Sequence, residues 1–475
     1  MIEVKTKVHD QYSIEFKMGF VTDGQESDFT VGMWIFVPGS LDITPATFTK
    51  AEFYRCVKSN VRLITPRFRL GEIARGPAYP LNSVRNASPE DYDYQLKLFC
   101  AIVKSAIRDE RELILKALGG SGSVISGKSG SVESGPEEYG EISPVTLAKR
   151  YASDVRTILD EFWKLPDNSC HRYCGEFLCN IICSDTLSLP IETLCKDDFL
   201  ALLNHVQDIR MKHGYATVNP DDKAGNKNFV HRRGVLKKFV ESHLYLRVPK
   251  KRDGFVMEQA LFSVAAGLAM LFATVVAWAF QRHFGNLTWP LFIALIISYM
   301  MKDRIKELMR YYFAHRISDK HFDNKARIGL HSRIIGSLKE GMDFIRYGKV
   351  PDDVRQLRNR SHICEAEDEF IDENVILYRK RVHLDLAKMQ SCSNYKLEGI
   401  NDIIRFQVRP FLRKMDNPEV FVNRIDGNGK VISVPCSKDY FVNVILQYRY
   451  GDTTECKRYR LDINRNGIQS MEEVR

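Results

Sequence analysis

The chain of 475 residues carries a formal net charge of +9, and 44% of its residues are hydrophobic and 27% charged. This length can hold two or three domains, and the balance of apolar and charged residues excludes a wholly disordered chain. Eleven cysteines in irregular spacing argue against a secreted disulfide framework and predict reduced thiols. Because the positive charge is spread out, with no basic block among aromatics, we expect an anionic lipid surface as a partner and no specific nucleic-acid binding.

The first 118 residues are typical of an α/β domain (1–118). Runs rich in β-branched and aromatic residues predict strands, and the capping box Thr49-Lys50-Ala51-Glu52 predicts the start of a helix. Pro89 and Gly119-Gly120 delimit a long amphipathic helix. The predicted elements are strands at 12–21, 30–37 and 61–68, a helix from Thr49 and a helix over 89–118. The first residues also lack the apolar core of a signal peptide.

Residues 122–129 read GSVISGKS, which matches the phosphate-loop pattern G-x-x-x-x-G-K-[ST]. A working phosphate loop needs a buried strand before the turn and a helix after it, because backbone N–H groups and the helix N-terminus surround the phosphates. Here a helical pattern precedes the motif, and a Gly- and Ser-rich stretch follows it. We therefore interpret 119–142 as a flexible linker in which Lys128 holds no phosphate, and we expect no nucleotide cofactor.

Residues 143–252 predict a helical domain that begins at Ser143-Pro144. It contains the stretch CHRYCGEFLCNIIC, whose cysteine spacing invites a comparison with zinc sites. On a helix, Cys170 and Cys174 share one face, whereas the cysteine nine residues after Cys170 lies on the opposite face. We therefore expect packed thiols and no metal ligand at the four positions, which are Cys170, Cys174, Cys179 and Cys183.

Two uncharged runs in the middle of the chain, within 255–301, predict a transmembrane hairpin. The first run, 260–280, has 21 residues and is about 31 Å long as a helix. The second run, 284–301, has 18 residues and is about 27 Å long. The alternative is a pair of buried helices in a soluble core, which is disfavoured because such helices normally keep a polar face.

Several residues in these runs fit a lipid environment. Trp278 and Trp289 flank the short link between the runs, and indole rings prefer the headgroup layer. Alanines recur at every fourth residue of the first run and form a small-residue stripe that allows close helix packing. This stripe serves either the second helix or a second copy in a homo-oligomer, and it consists of Ala265, Ala269, Ala273 and Ala277.

Basic residues flank both runs on the side away from the link, which itself holds Arg282 alone. Those before the first run are Arg232, Arg233, Lys237, Lys238, Arg247, Lys250, Lys251 and Arg252. Those after the second run are Lys302, Arg304, Lys306, Arg310 and Arg316, within a predicted membrane-proximal helix over 302–317. Because Lys and Arg near a span remain cytosolic, we expect both termini in the cytosol and a two-span protein of a bacterial inner membrane.

The region 318–475 predicts a C-terminal antiparallel β domain, either a sandwich or a barrel. Residues 318–350 fit helix and strand equally well, whereas from Val375 onwards β-branched and aromatic runs alternate with turn signals. The acidic run 365–374 lies between these parts. We interpret it as a solvated segment, because matching partner residues for a metal site are not evident elsewhere.

The last stretch, 462–473, matches the calcium-loop pattern D-x-[DN]-x-[DN]-G-x₅-E. A strand pattern enters this stretch, however, and only two residues follow Glu473, so the exit helix of an EF-hand has no room. A turn at Asn466-Gly467 explains the same letters. We therefore expect no calcium site.

The complete pattern predicts a multi-domain α+β integral membrane protein with a two-helix hairpin. The chain lacks the G-x-S-x-G and H-E-x-x-H motifs, and its twelve histidines are scattered, so we assign no catalytic, cofactor-binding or metal-binding residue. The leading hypothesis is a non-enzymatic sensor, scaffold or assembly protein with cytosolic modules. The alternative is a membrane-associated enzyme or effector whose active site cannot be recognised in one sequence. A pore is disfavoured because neither run has a polar face.

Overall fold

The structure, a computed structural model of the chain, describes residues 2–22, 26–76, 80–119, 143–253, 255–285, 288–318, 322–330, 333–358, 373–392, 395–427, 429–451 and 453–474. The fold is mixed α+β with several sheets, which confirms that part of the predicted fold class. The chain forms two compact units. Unit 1 contains Met1–Val61, Arg247–Cys392 and Glu398–Arg475, and unit 2 contains Arg62–Leu246 and Ser393–Leu397.

An antiparallel eight-stranded sheet is the main layer of unit 1. From one edge to the other its strands are β14 (Gly467–Val474), β13 (Thr453–Asn464), β12 (Tyr440–Tyr450), β3 (Glu26–Pro38), β8 (Glu373–Asp385), β7 (Arg333–Ile345), β6 (Asn324–Leu330) and β5 (Lys250–Arg252). The N-terminal strand β3 is therefore central. Its Trp34 pairs with Leu377 on β8 and with Ile445 on β12, and all three side chains are buried.

A second sheet covers one face of the first. Its strands are, in spatial order, β1 (Ile2–Asp10), β2 (Ser13–Val21), β9 (Gly399–Gln407) and β4 (Val57–Leu63). The two layers meet through aromatic side chains. Ring centroids lie 6.2 Å apart for Phe16 and Tyr459 and 5.0 Å apart for Phe20 and Phe29. One core of unit 1 is therefore the apolar space between the two sheets, and a second buried cluster joins Trp34, Leu377 and Ile445 to Val350 and Val354.

Short helices and one isolated hairpin complete the sheets of unit 1. They are α1 (Lys50–Cys56), α11 (Asp352–Arg358), α12 (Leu386–Gln390), α13 (Arg409–Leu412) and the hairpin β10 (Glu419–Ile425) with β11 (Val431–Ser437). The capping box predicted for α1 is confirmed, because the Thr49 side chain accepts from the Glu52 N–H and Glu52 accepts from the Thr49 N–H. Both strands of the isolated hairpin are exposed along their whole length.

Unit 2 is helical, and its core lies between the longer helices. The helices are α2 (Leu70–Arg75), α3 (Pro80–Arg85), α4 (Tyr92–Gly119), α5 (Pro144–Phe162), α6 (Ser169–Leu187), α7 (Lys196–His213) and α8 (Lys223–Glu241). Helix α4 buries Leu98, Ile102 and Ala106, the apolar stripe that its sequence predicts. It packs against α5 and α6, and the rings of Phe99 and Phe162 stack with centroids 6.5 Å apart.

This division differs from the boundaries expected at 118 and 143. The strands of the predicted domain 1–118 belong mainly to the sheets of unit 1, whereas its helices α2–α4 pack with α5–α8 in unit 2. The predicted domain 318–475 likewise takes its central strand from the N-terminal region. Pairing between strands so distant in sequence leaves no local signal, which is why composition placed the boundaries elsewhere.

The structure also resolves the region that the sequence left ambiguous. Residues 324–330 and 333–345 are strands, so most of the described residues in this region are extended. The expected turn is present in the β13–β14 hairpin but lies one residue earlier, at Arg465 and Asn466, and Gly467 pairs with Asn464. In that hairpin Asp462 accepts a 2.6 Å hydrogen bond from Ser470. The motif GSVISGKS and the acidic residues 365–372 lie outside the described residues.

Candidate membrane-anchoring site

Two long helices leave the eight-stranded sheet as an antiparallel pair. Helix α9 spans Phe255–Phe284 and helix α10 spans Trp289–Ser318, and each has 30 residues. Within α9, Gln259–His283 is apolar and long enough to cross a membrane, yet it is only 11% buried. A core helix of a soluble protein is mostly buried, so the small buried share disfavours that alternative for α9.

Helix α10 does not meet the same length and composition test, and α9 is the only described helix that does. The reason is where α10 begins. The sequence predicted an uncharged run from 284 to 301, but the helix starts at Trp289, which leaves 13 uncharged residues before Lys302. At 1.5 Å per residue these cover about 20 Å, less than a hydrocarbon core of about 30 Å. A second span is therefore not established.

Small residues line the inside of the helix pair. Ala265 and Ala269 on α9 and Ala294 and Ser298 on α10 are buried. The Ser298 hydroxyl donates a 3.4 Å hydrogen bond to the carbonyl oxygen of Ala273. Half of the predicted alanine stripe is thus buried where α9 packs on α10 within one chain, because a methyl group lets the backbones approach closely.

Large apolar side chains cover the outside of the pair. On α9 the exposed ones include Phe255, Val264, Leu268, Met270, Leu271, Phe272, Val275, Trp278 and Phe280. On α10 they include Trp289, Phe292, Ile293, Leu295, Ile296, Ile297, Tyr299, Met300, Met301, Leu308, Tyr311 and Tyr312. A contiguous apolar surface of this size is rare on a soluble monomer and marks an interaction with lipid or protein.

The charged half of α10 lies beside the apolar first half of α9. The Arg310 guanidinium lies 4.9 Å from the centre of the Phe262 ring, which sets the relative height of the two helices. Because of this contact, the charged segment from Lys302 to Arg310 lies alongside uncharged residues of α9 and does not extend past the start of α9. At the same distance along the axis of the pair, α9 is therefore uncharged and α10 is charged.

The edge of the eight-stranded sheet holds one end of the helix pair, at which α9 begins and α10 ends. Strand β5 enters α9 and strand β6 follows α10, and Arg252 pairs with Asn324 in the ladder between them. The Asp253 N–H donates to the Asp323 carbonyl oxygen at 3.0 Å, and the Asp253 carboxylate accepts from Lys325 at 3.1 Å. The sheet thus holds the two chain ends side by side.

A buried carboxylate, Glu340 on β7, organises the polar groups next to this junction. It accepts hydrogen bonds from Lys250 at 2.7 Å, from Tyr378 at 2.8 Å and from Asn324 at 3.1 Å. Burial alone would raise the pKa of Glu340, but the charge and hydrogen bonds of Lys250 lower it below its usual value. Glu340 is therefore held ionised between β5, β6 and β8.

A second group of charges follows on the same part of the sheet. Lys50 donates to Asp323 at 2.9 Å and to Asp343 at 3.0 Å, and Tyr54 donates to Asp323 at 2.8 Å. Burial would lower the pKa of Lys50, but the hydrogen bonds to both carboxylates raise it overall. Arg379 also pairs with Asp343. Helix α1 is thereby connected to the strand that follows α10.

A fully buried ion pair connects the two sheets of unit 1. Lys380 on β8 and Asp402 on β9 are both 0% exposed and form a salt bridge. Ser59 donates to Asp402 at 2.8 Å and accepts from Lys380 at 2.9 Å. These charges are mutually satisfied, which suits a structural junction better than acid–base catalysis, because a catalytic group must exchange protons with a substrate.

The cysteines of unit 2 support the expectation of packed thiols. Cys170 and Cys174 interact on one face of α6, and Cys174 also interacts with Cys100 from α4, which the sequence did not single out. The hydrogen bond with Cys174 and then burial raise the pKa of Cys170, and the hydrogen bond with Cys100 and then burial raise the pKa of Cys174, so both thiols stay protonated. Cys179 is buried separately. Among the described residues, no group of three or more Cys, His, Asp or Glu could hold a metal ion.

Comparisons of the chain with protein-family models, with curated proteins and with solved structures find no match.

Proposed function

We propose that this chain is a membrane-anchored, non-enzymatic sensor, scaffold or assembly protein whose helices α9 and α10 cross the bilayer as a hairpin. The observation that carries the proposal is the apolar outer surface of the pair, where residues such as Leu271, Val275 and Ile297 are exposed. Apolar surface in water costs about 25 cal/mol per Å². In lipid the same surface is favourable, and the small residues inside the pair fit helix association in lipid.

The short uncharged part of α10 is compatible with such a hairpin. Lys302 at its end has a long aliphatic stem, so its ammonium group can extend along the helix towards the headgroups. The bilayer can also become thinner around a short span at modest cost. Trp278 and Trp289, both exposed, lie near the link, where they would mark the opposite headgroup layer.

The strands that precede α9 and follow α10 in sequence support a role in transmission or assembly. The two sheet strands that adjoin the anchor, β5 and β6, are neighbours, so a displacement of the helix pair acts directly on the sheet. The carboxylates at this junction, including Glu340 and Asp323, are engaged by basic and hydroxyl groups. These contacts stabilise a junction, and they are the reason for preferring a scaffold or sensor to an enzyme.

The orientation that we propose places both termini in the cytosol of a bacterium, with the basic residues before α9 and Arg310, which lies beside Phe262 near the start of α9, close to anionic headgroups. Each basic residue near such a surface contributes about 1 kcal/mol. The link after Phe284 then reaches the other side of the inner membrane.

Thiol labelling in intact cells tests the hairpin. Asn286→Cys places a thiol in the link, and a membrane-impermeant maleimide should label it in intact cells. The wild type is the matched control, because its cysteines all lie outside α9, the link and α10, and they should react only after lysis. Cys436, which is exposed, should then be labelled. Labelling of the wild type in intact cells, or of Asn286→Cys only after lysis, contradicts the proposed topology.

A further inference from the structure

The side of α10 that faces away from α9 has a regular pattern of exposed residues. Six positions follow one another at intervals of four, three, four, three and four residues. We call them the outer seam, and they are Ile293, Ile297, Met300, Arg304, Glu307 and Tyr311. The buried residues Ala294 and Ser298 lie on the opposite side of the same helix. Alternating intervals of three and four residues are the spacing by which one helix packs along another in a coiled coil.

The outer seam carries two charges at a height where α9 is apolar. Arg304 and Glu307 have side-chain exposures of 82% and 70%, and they pair with each other at 3.4 Å. The contact between Arg310 and Phe262 places them beside the stretch of α9 that exposes Val264 and Leu268. An ion pair at this height would face lipid, where charges are costly and normally pair within a protein interior.

We propose that α10 packs in parallel against α10 of a second copy through the outer seam, with Arg304 and Glu307 pairing between copies. The inference rests on the proposed function, because two copies with the same membrane topology can only be related by a two-fold axis along the membrane normal. Their α10 helices are then parallel. Arg304 of each copy lies one seam position from Glu307 of the other, so the four charges form a closed network.

The other seam positions fit this arrangement. Ile293, Ile297 and Met300 supply apolar packing on the link side of the charges, and Tyr311 supplies it on the other side. Charged residues within an otherwise apolar seam specify register and partner at some cost in stability. The alanine stripe serves a different contact, because Ala265 and Ala269 are already buried against α10 of the same chain.

Reciprocal charge reversal tests the pairing. Arg304→Glu leaves only acids at the two positions, and Glu307→Arg leaves only arginines, so either variant alone should lose association at least tenfold. A cell that makes both single variants with different tags should recover association, because the mixed pair again has opposite charges. The double variant R304E/E307R should associate like the wild type. Both side chains are exposed, so these substitutions leave the interior of the fold unchanged.

The measurement is co-purification of two differently tagged full-length copies from membranes in mild detergent. Lys306→Glu, a charge reversal on the same turn but off the seam, is the matched control and should not reduce association. A wild type that does not co-purify, single variants that associate normally, or a mixture that does not recover association would overturn the inference. The membrane fraction of each variant is measured in parallel. Wild-type protein absent from that fraction refutes the proposed anchor itself, whereas membrane-bound protein without the charge pattern refutes only the seam.

Discussion

The helix pair and the sheet next to it are built by opposite rules. In the helix pair, alanine and serine are inside and large apolar side chains such as Leu271 and Ile297 are outside. In the sheet, large side chains such as Tyr378 are inside, together with the charges of Lys380 and Asp402. This difference is what the proposed membrane location of the helix pair predicts. Water drives large apolar groups inwards, whereas in lipid only close packing and hydrogen bonds hold helices together.

The largest effect is expected inside the sheet region. Lys380→Met leaves the Asp402 carboxylate buried with no cation and should destabilise the protein by about 3–5 kcal/mol. The double variant K380M/D402L removes both charges and should recover most of this loss, because well-packed apolar groups replace a buried pair at little cost. Thermal unfolding of the detergent-solubilised protein measures both effects. Lys438→Met, which breaks the exposed pair with Asp416, is the control and should change the melting temperature little.

A charge on the outside of the helix pair tests the opposite rule. Leu271→Arg changes an exposed residue, so in a water-facing helix it should be harmless or improve solubility. In lipid it should disfavour insertion by about 3–4 kcal/mol and shift protein from the membrane fraction to aggregates or degradation. Val230→Arg, at an apolar position on α8 that is 65% exposed against 63% for Leu271, is the matched control and should leave the membrane fraction unchanged. Normal membrane recovery of Leu271→Arg would contradict a lipid-facing surface.

The junction between the two regions should be acid-sensitive. The pKa of Glu340 is lowered in the folded protein, so its ionised form contributes stability above the pKa of the unfolded chain, near 4.3. That contribution is lost as the pH falls through the lower folded-state pKa. Glu340→Gln should therefore lower the melting temperature at pH 7 and make it less dependent on pH between about 5 and 3. If the pH dependence of the melting temperature were the same in this variant as in the wild type, ionised Glu340 would not stabilise the junction.

The smallest effects are expected at the two motifs that resemble ligand sites. Lys128→Ala should change neither the melting temperature nor its response to Mg-ATP, because a Gly- and Ser-rich linker holds no phosphate. Calcium should likewise leave the melting temperature unchanged, since the Asp462 carboxylate already accepts from Ser470 in the β13–β14 hairpin. A rise with either ligand that is abolished by Lys128→Ala or Asp462→Ala would establish a site there.

Local features of this fold could be predicted from the sequence because they depend on neighbouring residues. The capping box at Thr49, the amphipathic helix that became α4 and the turn between β13 and β14 all arise from contacts within a few positions. The apolar length of α9 is also a property of composition alone. The same holds for the strand-rich character of the C-terminal region.

Tertiary structure alone decided which of these elements meet. The insertion of β3 between β8 and β12 joins residues far apart in sequence, and the pairing of Lys380 with Asp402 joins two different sheets, so residue spacing predicts neither contact. The start of α10 at Trp289 shortened the second apolar run, and the packing of the helix pair placed Arg310 beside Phe262. Composition specifies how apolar each helix is. The height at which one lies against the other is set by side-chain packing between them.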